Sequence, residues 1–108
     1  IFANFVEFDT LYGHNRDVSG YAKALEELDK KLPRLFAILD EDDLLIITAD
    51  HGNDPTFRGS DHTREQVPVL IRNRDVLNKN YGLVKFSDIG ATMSNFLGVE
   101  PVAGTVIR

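Results

Sequence analysis

One long amphipathic segment set between two short apolar runs restricts this chain more than any other feature. From Asp17 to Leu39, apolar side chains recur at Val18, Tyr21, Ala22, Leu25, Leu28, Leu32, Leu35, Phe36 and Leu39. Lys23, Glu26, Glu27, Lys30, Lys31 and Arg34 fall on the other faces, which is helical spacing. Asp17 is suited to cap the helix. Pro33 predicts a kink or a split, because it removes a donor and crowds the preceding turn. Ahead of the helix, Phe2 to Phe8 is rich in Phe and Val, with too little polar alternation for a half-exposed strand. Behind it, "LDEDD" (39–43) reads as a turn and Leu44 to Ala49 as a second buried strand. Strand, helix, strand is a βαβ unit, so the two strands are expected to be parallel and covered on both faces. "VPVLIR" (67–72) predicts a third strand, with Pro68 near its start where a missing donor is tolerated. "SDIGATMSNFLG" (87–98) predicts a helix capped by Ser87 and closed by Gly98. The expected fold class is α/β, part of a mostly parallel sheet flanked by helices.

Size and charge narrow the function. With 108 residues, 43% of them hydrophobic, the chain can build one modest core and one domain. Seventeen acidic against twelve basic residues leave a net charge of −5, and Lys and Arg form no run. Nucleic acid is therefore not an expected partner, since it needs a basic footprint. No apolar stretch approaches the roughly 20 residues of a membrane span, and no signal peptide is visible, so no membrane role is expected. The absence of cysteine excludes disulfides and thiolate metal sites and fits a cytoplasmic location. The first residue is Ile1 and "FANFVEF" already has strand composition, so the chain is expected to be a piece of a longer protein whose N-terminal part is absent.

The chemistry gathers around the three histidines. In α/β proteins the carboxyl ends of parallel strands share the sheet edge at which ligands bind. Asp9 would end the first strand and Asp50 the second. His14 follows Asp9 through "TLYGH", where Gly13 permits a tight return. His51 adjoins Asp50, and Gly52 allows an immediate turn. His62 lies in the polar loop "GSDHTRE" that leads into the third strand. Two carboxylates and three imidazoles suit zinc or manganese, and they exceed what one tetrahedral site takes. Two ions about 3.5–4 Å apart would use them in phosphoryl chemistry. A lone loop histidine is more often a solvated side chain, and a lone strand-end aspartate a turn former; their coincidence is what argues for metal. Acids 40–43 read as a solvated turn. Asp61, Arg64 and Glu65 are candidates to steady the ligands, with surface pairing as the other reading.

"FVEFDTLYGHNRDVSGYAKALEELD", "LLIITADHGNDPTFRGSDHTREQVPVL" and "FSDIGATMSNFLGV" together resemble the C-terminal part of the phosphopentomutase family, within the alkaline phosphatase superfamily. "TADHGN" marks only the superfamily, being shared with cofactor-independent phosphoglycerate mutases; "DTLYGHNRD" with "SDHTRE" is more specific. The resemblance implies that residues 1–108 form the C-terminal part of a metal-binding core domain. It implies an isomerase that interconverts pentose 1-phosphates and 5-phosphates, of ribose or deoxyribose, with two Mn2+ ions, Zn2+ or another divalent ion being possible. By position, Asp9, His14 and His62 would hold one ion, and Asp50 with His51 most of the second. The family's threonine nucleophile, the remaining aspartate ligand and the sugar-binding cap would lie upstream, so no catalytic nucleophile is expected here. The pentose phosphate and the remainder of the enzyme chain are the implied partners. The rival readings are a phosphoglycerate mutase or metal-dependent phosphatase of the same superfamily, or an inactive metal-binding fragment.

Overall fold

A computed structural model describes residues 1–108. The elements are a π-helical turn at Phe8–Gly13, helix α1 at Val18–Phe36, strands β1 at Leu45–Thr48 and β2 at Val69–Arg72, and helix α2 at Phe86–Phe96. The chain divides into two compact units, Ile1–Leu39 with Thr48–Val69, and Asp40–Ile47 with Leu70–Arg108.

In the first unit, the strand expected over Phe2 to Phe8 does not form. Residues 1–5 are irregular and exposed, and Phe8 opens the π-helical turn. A strand needs a neighbour to pair its N–H and C=O groups. The only sheet here joins β1 to β2, so local pairing takes over. The Thr10 N–H donates to the Val6 carbonyl at 2.9 Å and the His14 N–H to the Asp9 carbonyl at 2.9 Å. The second of these bonds spans five residues, the mark of a π turn. Helix α1 follows as its periodicity predicts, and the Asp17 carboxylate caps it by accepting from the Gly20 N–H at 2.9 Å. Pro33 does not split it. The helix ends three residues later, so the bond that proline cannot donate is lost only near the frayed end. Phe8 meets Tyr21 edge-on, ring centroids 5.5 Å apart, and so seats the π turn on α1.

The second unit holds the sheet, except for Thr48 and Val69 at the strand ends. Its two strands, the second and third of those expected, run antiparallel; the expected parallel βαβ pair is absent because the first strand does not form. The helix has no first strand to cross over from, and the chain leaving β1 returns to pair beside it. In β2, Val69 and Ile71 are half-buried while Leu70 and Arg72 are exposed, the alternation of a sheet covered on one face. The unit's core is small: Ile89, Ala91 and Ile107 are its buried hydrophobic side chains. Buried Thr92 completes it, its hydroxyl donating to the Asp88 carbonyl at 2.7 Å and accepting the Ile107 N–H at 3.0 Å.

Helix α2 begins one residue before the expected start, and Ser87 is not its cap. Lys85 holds that position, and its N–H donates to the Asp88 carboxylate at 2.9 Å. The other Asp88 oxygen accepts the Thr105 N–H at 2.9 Å, and these two backbone donors hold the carboxyl below the usual carboxylate range. Gly98 lies just past the end with φ +68°, where a left-handed residue stops a helix, as the sequence predicts.

Candidate metal centre

The site lies within the first unit, and a π turn builds half of it. An i, i+5 hydrogen bond sets His14 one turn above Asp9, which brings His14 Nε2 to 3.2 Å from Asp9 Oδ2. The polar loop supplies His62, whose Nε2 stands 3.3 Å from Asp9 Oδ1 and 3.1 Å from His14 Nε2. These three contacts match neighbouring ligands around a cation bound at about 2.0–2.2 Å, which sit about 3.0 Å apart in an octahedral shell and about 3.4 Å in a tetrahedral one. Asp9, His14 and His62 are thus brought together as the sequence predicts, although Asp9 comes from a π turn and not from a strand end.

His51 is drawn to the same place. Its ring stacks on His62 with centroids 3.8 Å apart, and Asp9, His51 and His62 offer ligand atoms that all lie within 4.8 Å of one another. Asp50 stands apart. Its side chain is 86% exposed, and its carboxylate approaches His51 Nε2 at 3.7 Å.

Two carbonyls orient the imidazoles. His14 Nδ1 donates to the Ser60 carbonyl, and His51 Nδ1 donates to the Gly52 carbonyl at 3.2 Å. A neutral imidazole that donates from Nδ1 keeps a lone pair on Nε2, the state a metal ligand requires. Asp9 is held from behind by Asn53, whose Nδ2 donates to Oδ1 at 2.6 Å. Partial burial pushes the Asp9 carboxyl up. The Asn53 hydrogen bond and then His14, His62 and His51 outweigh it, leaving the carboxyl below its ordinary range.

Both site glycines serve close approach and not the turns expected of them. A Cβ on Gly52 would lie 2.9 Å from the Glu65 backbone nitrogen, where Gly52 bridges antiparallel to Thr63. A Cβ on Gly13 would lie 2.5 Å from Asn53 Nδ2 and 2.8 Å from its Cγ. Gly13→Ala must therefore push Asn53 off Asp9. In the full-length protein we expect a loss of about 1–3 kcal/mol in stability from the overpacking, and Mn2+ binding about 10–100-fold weaker. Melting curves and a Mn2+ titration check both.

Asn53, Ser60 and Arg16 are the site residues that sequence reading missed. Asn53 follows the His51-Gly52 pair and was detectable by that adjacency; Ser60 acts through its backbone, and Arg16 reads as an ordinary charge ahead of a helix. Of the candidates to steady the ligands, Asp61 contributes its carbonyl to Arg16 and Glu65 accepts from the Thr63 hydroxyl, which in turn accepts the Asp54 N–H at 2.6 Å. Arg64 is exposed.

One carboxylate and three imidazoles gather here, of which Asp9, His51 and His62 could hold a metal ion, and the chain belongs to the Metalloenzyme superfamily, whose family model matches residues 1–101. Among curated proteins it is similar to the phosphopentomutase of Actinobacillus succinogenes, at 54% identity over 109 residues, covering 99% of this chain and 28% of that protein. It is similar also to the phosphopentomutases of Chromohalobacter salexigens, at 54% identity over 95% of this chain and 26% of that protein, and of Vibrio cholerae, at 52% over 94% and 25%. The chain spans about a quarter of the length of these relatives. No helix is long and apolar enough to cross a membrane.

Proposed function

We propose that this chain is the C-terminal part of a cytoplasmic phosphopentomutase, an isomerase of nucleoside metabolism interconverting ribose or deoxyribose 1-phosphate and 5-phosphate. The convergence of Asp9, His14, His51 and His62 carries this reading, supported by the name of the relatives. In the complete protein these residues belong to an alkaline-phosphatase-like core whose sheet is mostly parallel. Asp9, His14 and His62 would hold one Mn2+; Asp50 and His51 would hold most of a second, completed by a carboxylate elsewhere in the protein. Two such ions, when bound, orient a phosphoryl group and neutralise its oxygens. The chain's own residues supply the cage. The Ser60 and Gly52 carbonyls keep Nε2 of His14 and His51 unprotonated, and Asn53 fixes which way the Asp9 carboxylate faces. The group that carries the phosphoryl between the two sugar oxygens is a threonine outside residues 1–108, so this chain alone turns nothing over.

The test is conversion of ribose 5-phosphate to ribose 1-phosphate by the full-length protein with Mn2+. Turnover with a phosphothreonine detectable by mass spectrometry supports the proposal; a metal-replete protein inert on pentose phosphates overturns it.

Metal uptake should depend on pH through the imidazoles. Asp9 has a depressed pKa, so it stays charged through the ordinary carboxylate range and gains a proton only below it. Protons compete with the ion at each ring nitrogen, so Mn2+ affinity is expected to fall as pH drops from 8 to 5. Flat affinity over that window would mean that carboxylates alone bind the ion.

A further inference from the structure

Arg16 occupies a left-handed backbone conformation, φ +54°, and is the only non-glycine residue to do so. Such a conformation persists only where the surroundings enforce it. Here the guanidinium does. Its Nε donates to the Gly59 carbonyl. One terminal nitrogen donates to Asn53 Oδ1 at 2.6 Å and to the Gly13 and Asp54 carbonyls at 3.0 Å each. The other donates to the Asp61 carbonyl at 2.5 Å. The acceptors flank the ligands on both sides: Gly13 precedes His14, Asp61 precedes His62, and Gly59 precedes the Ser60 that orients His14.

The contact with Asn53 decides more than position. A guanidinium has donors and no acceptor, so the amide must present its oxygen to Arg16 and its NH2 to Asp9. Flipped, Asn53 would set a carbonyl oxygen against the Asp9 carboxylate. We propose that Arg16 is a positioning residue for the metal centre, acting through Asn53 to hold the Asp9 carboxylate in ligand geometry. This rests on the metal-binding reading above and adds to it a residue outside the cage. Lysine is a poor substitute, because a single ammonium cannot span a fork of acceptors.

The experiment titrates the full-length protein with Mn2+, reading free ion by electron paramagnetic resonance, alongside thermal melts. The variants are Arg16→Lys, Arg16→Gln, Asn53→Ala and the double variant Arg16→Lys with Asn53→Ala. Each single change is expected to weaken binding about 10–100-fold while cooperative melting is kept. The double variant should be no weaker than the worse single one, since both remove the same link. Unchanged affinity in a folded single variant, or losses that multiply in the double, overturns the proposal. Loss of folding in both Arg16 variants also overturns it, by making Arg16 a residue of stability alone. Wild-type protein that takes up no Mn2+ overturns the metal reading together with this one; normal wild-type uptake with unaffected variants overturns this one alone.

Discussion

Asp9→Asn in the full-length protein is expected to cut turnover at least about a thousandfold, about 4 kcal/mol of transition-state stabilisation, and to abolish tight Mn2+ binding. Asp9 is the single carboxylate in contact with both His14 and His62, at 3.2 and 3.3 Å, and it shares a ligand cluster with His51. An amide at this position keeps the volume and loses the charge. Its NH2 group, facing His14 or His62, would occupy the place of a ligand oxygen. The fold should tolerate the change, because Asp9 is 31% exposed at its side chain and packs in no core. Unchanged Mn2+ stoichiometry in the variant would remove Asp9 from the ligand set.

Asp50→Asn should behave differently. Asp50 lies outside the Asp9 cluster and approaches only His51, at 3.7 Å. If it serves a second ion, the variant keeps one Mn2+ at nearly wild-type affinity and loses the other. Turnover should then fall at least about a hundredfold, because a two-ion clamp on a phosphoryl group is not replaced by one ion. Calorimetric stoichiometry separates the outcomes. A variant that loses both ions would show that the two sites share ligands, and a fully active one would remove Asp50 from the reaction.

The histidines were legible in the sequence because chemistry is carried by residue type: few side chains bind metal, and all three imidazoles fell near the same two acids. Helix α1 was legible because its period repeats over five turns and Asp17 caps it. The first strand was not legible as absent. Strand composition in Phe2 to Phe8 states what a segment can pair with and not whether a partner is there, and here local bonds replaced the ladder. The parallel pair of first and second strands is missing for the same reason, since that pairing was deduced from the strand that does not form. Arg16 was hidden because its contacts cross some forty residues of sequence; the bond from Asn53 to Asp9 crosses as many, although its place beside the His51-Gly52 pair made Asn53 detectable. The roles of Gly13 and Gly52 were misread as turns because a glycine that yields space leaves the same letter as one that bends the chain.

The π turn between Asp9 and His14 has a consequence for how this segment can change length. Within it, Thr10 and Leu11 are exposed, and substitutions there alter little besides the surface. Deleting either would convert the five-residue closure into an ordinary α-helical one. With about 100° of rotation per helical residue, a histidine four places after Asp9 still shares its face, so the loss of one residue can be absorbed. Inserting a residue would set the two six places apart, about 120° off a common face. The segment is therefore open to drift in composition and to the loss of one residue, and closed to insertion, a constraint that no side-chain contact alone would impose.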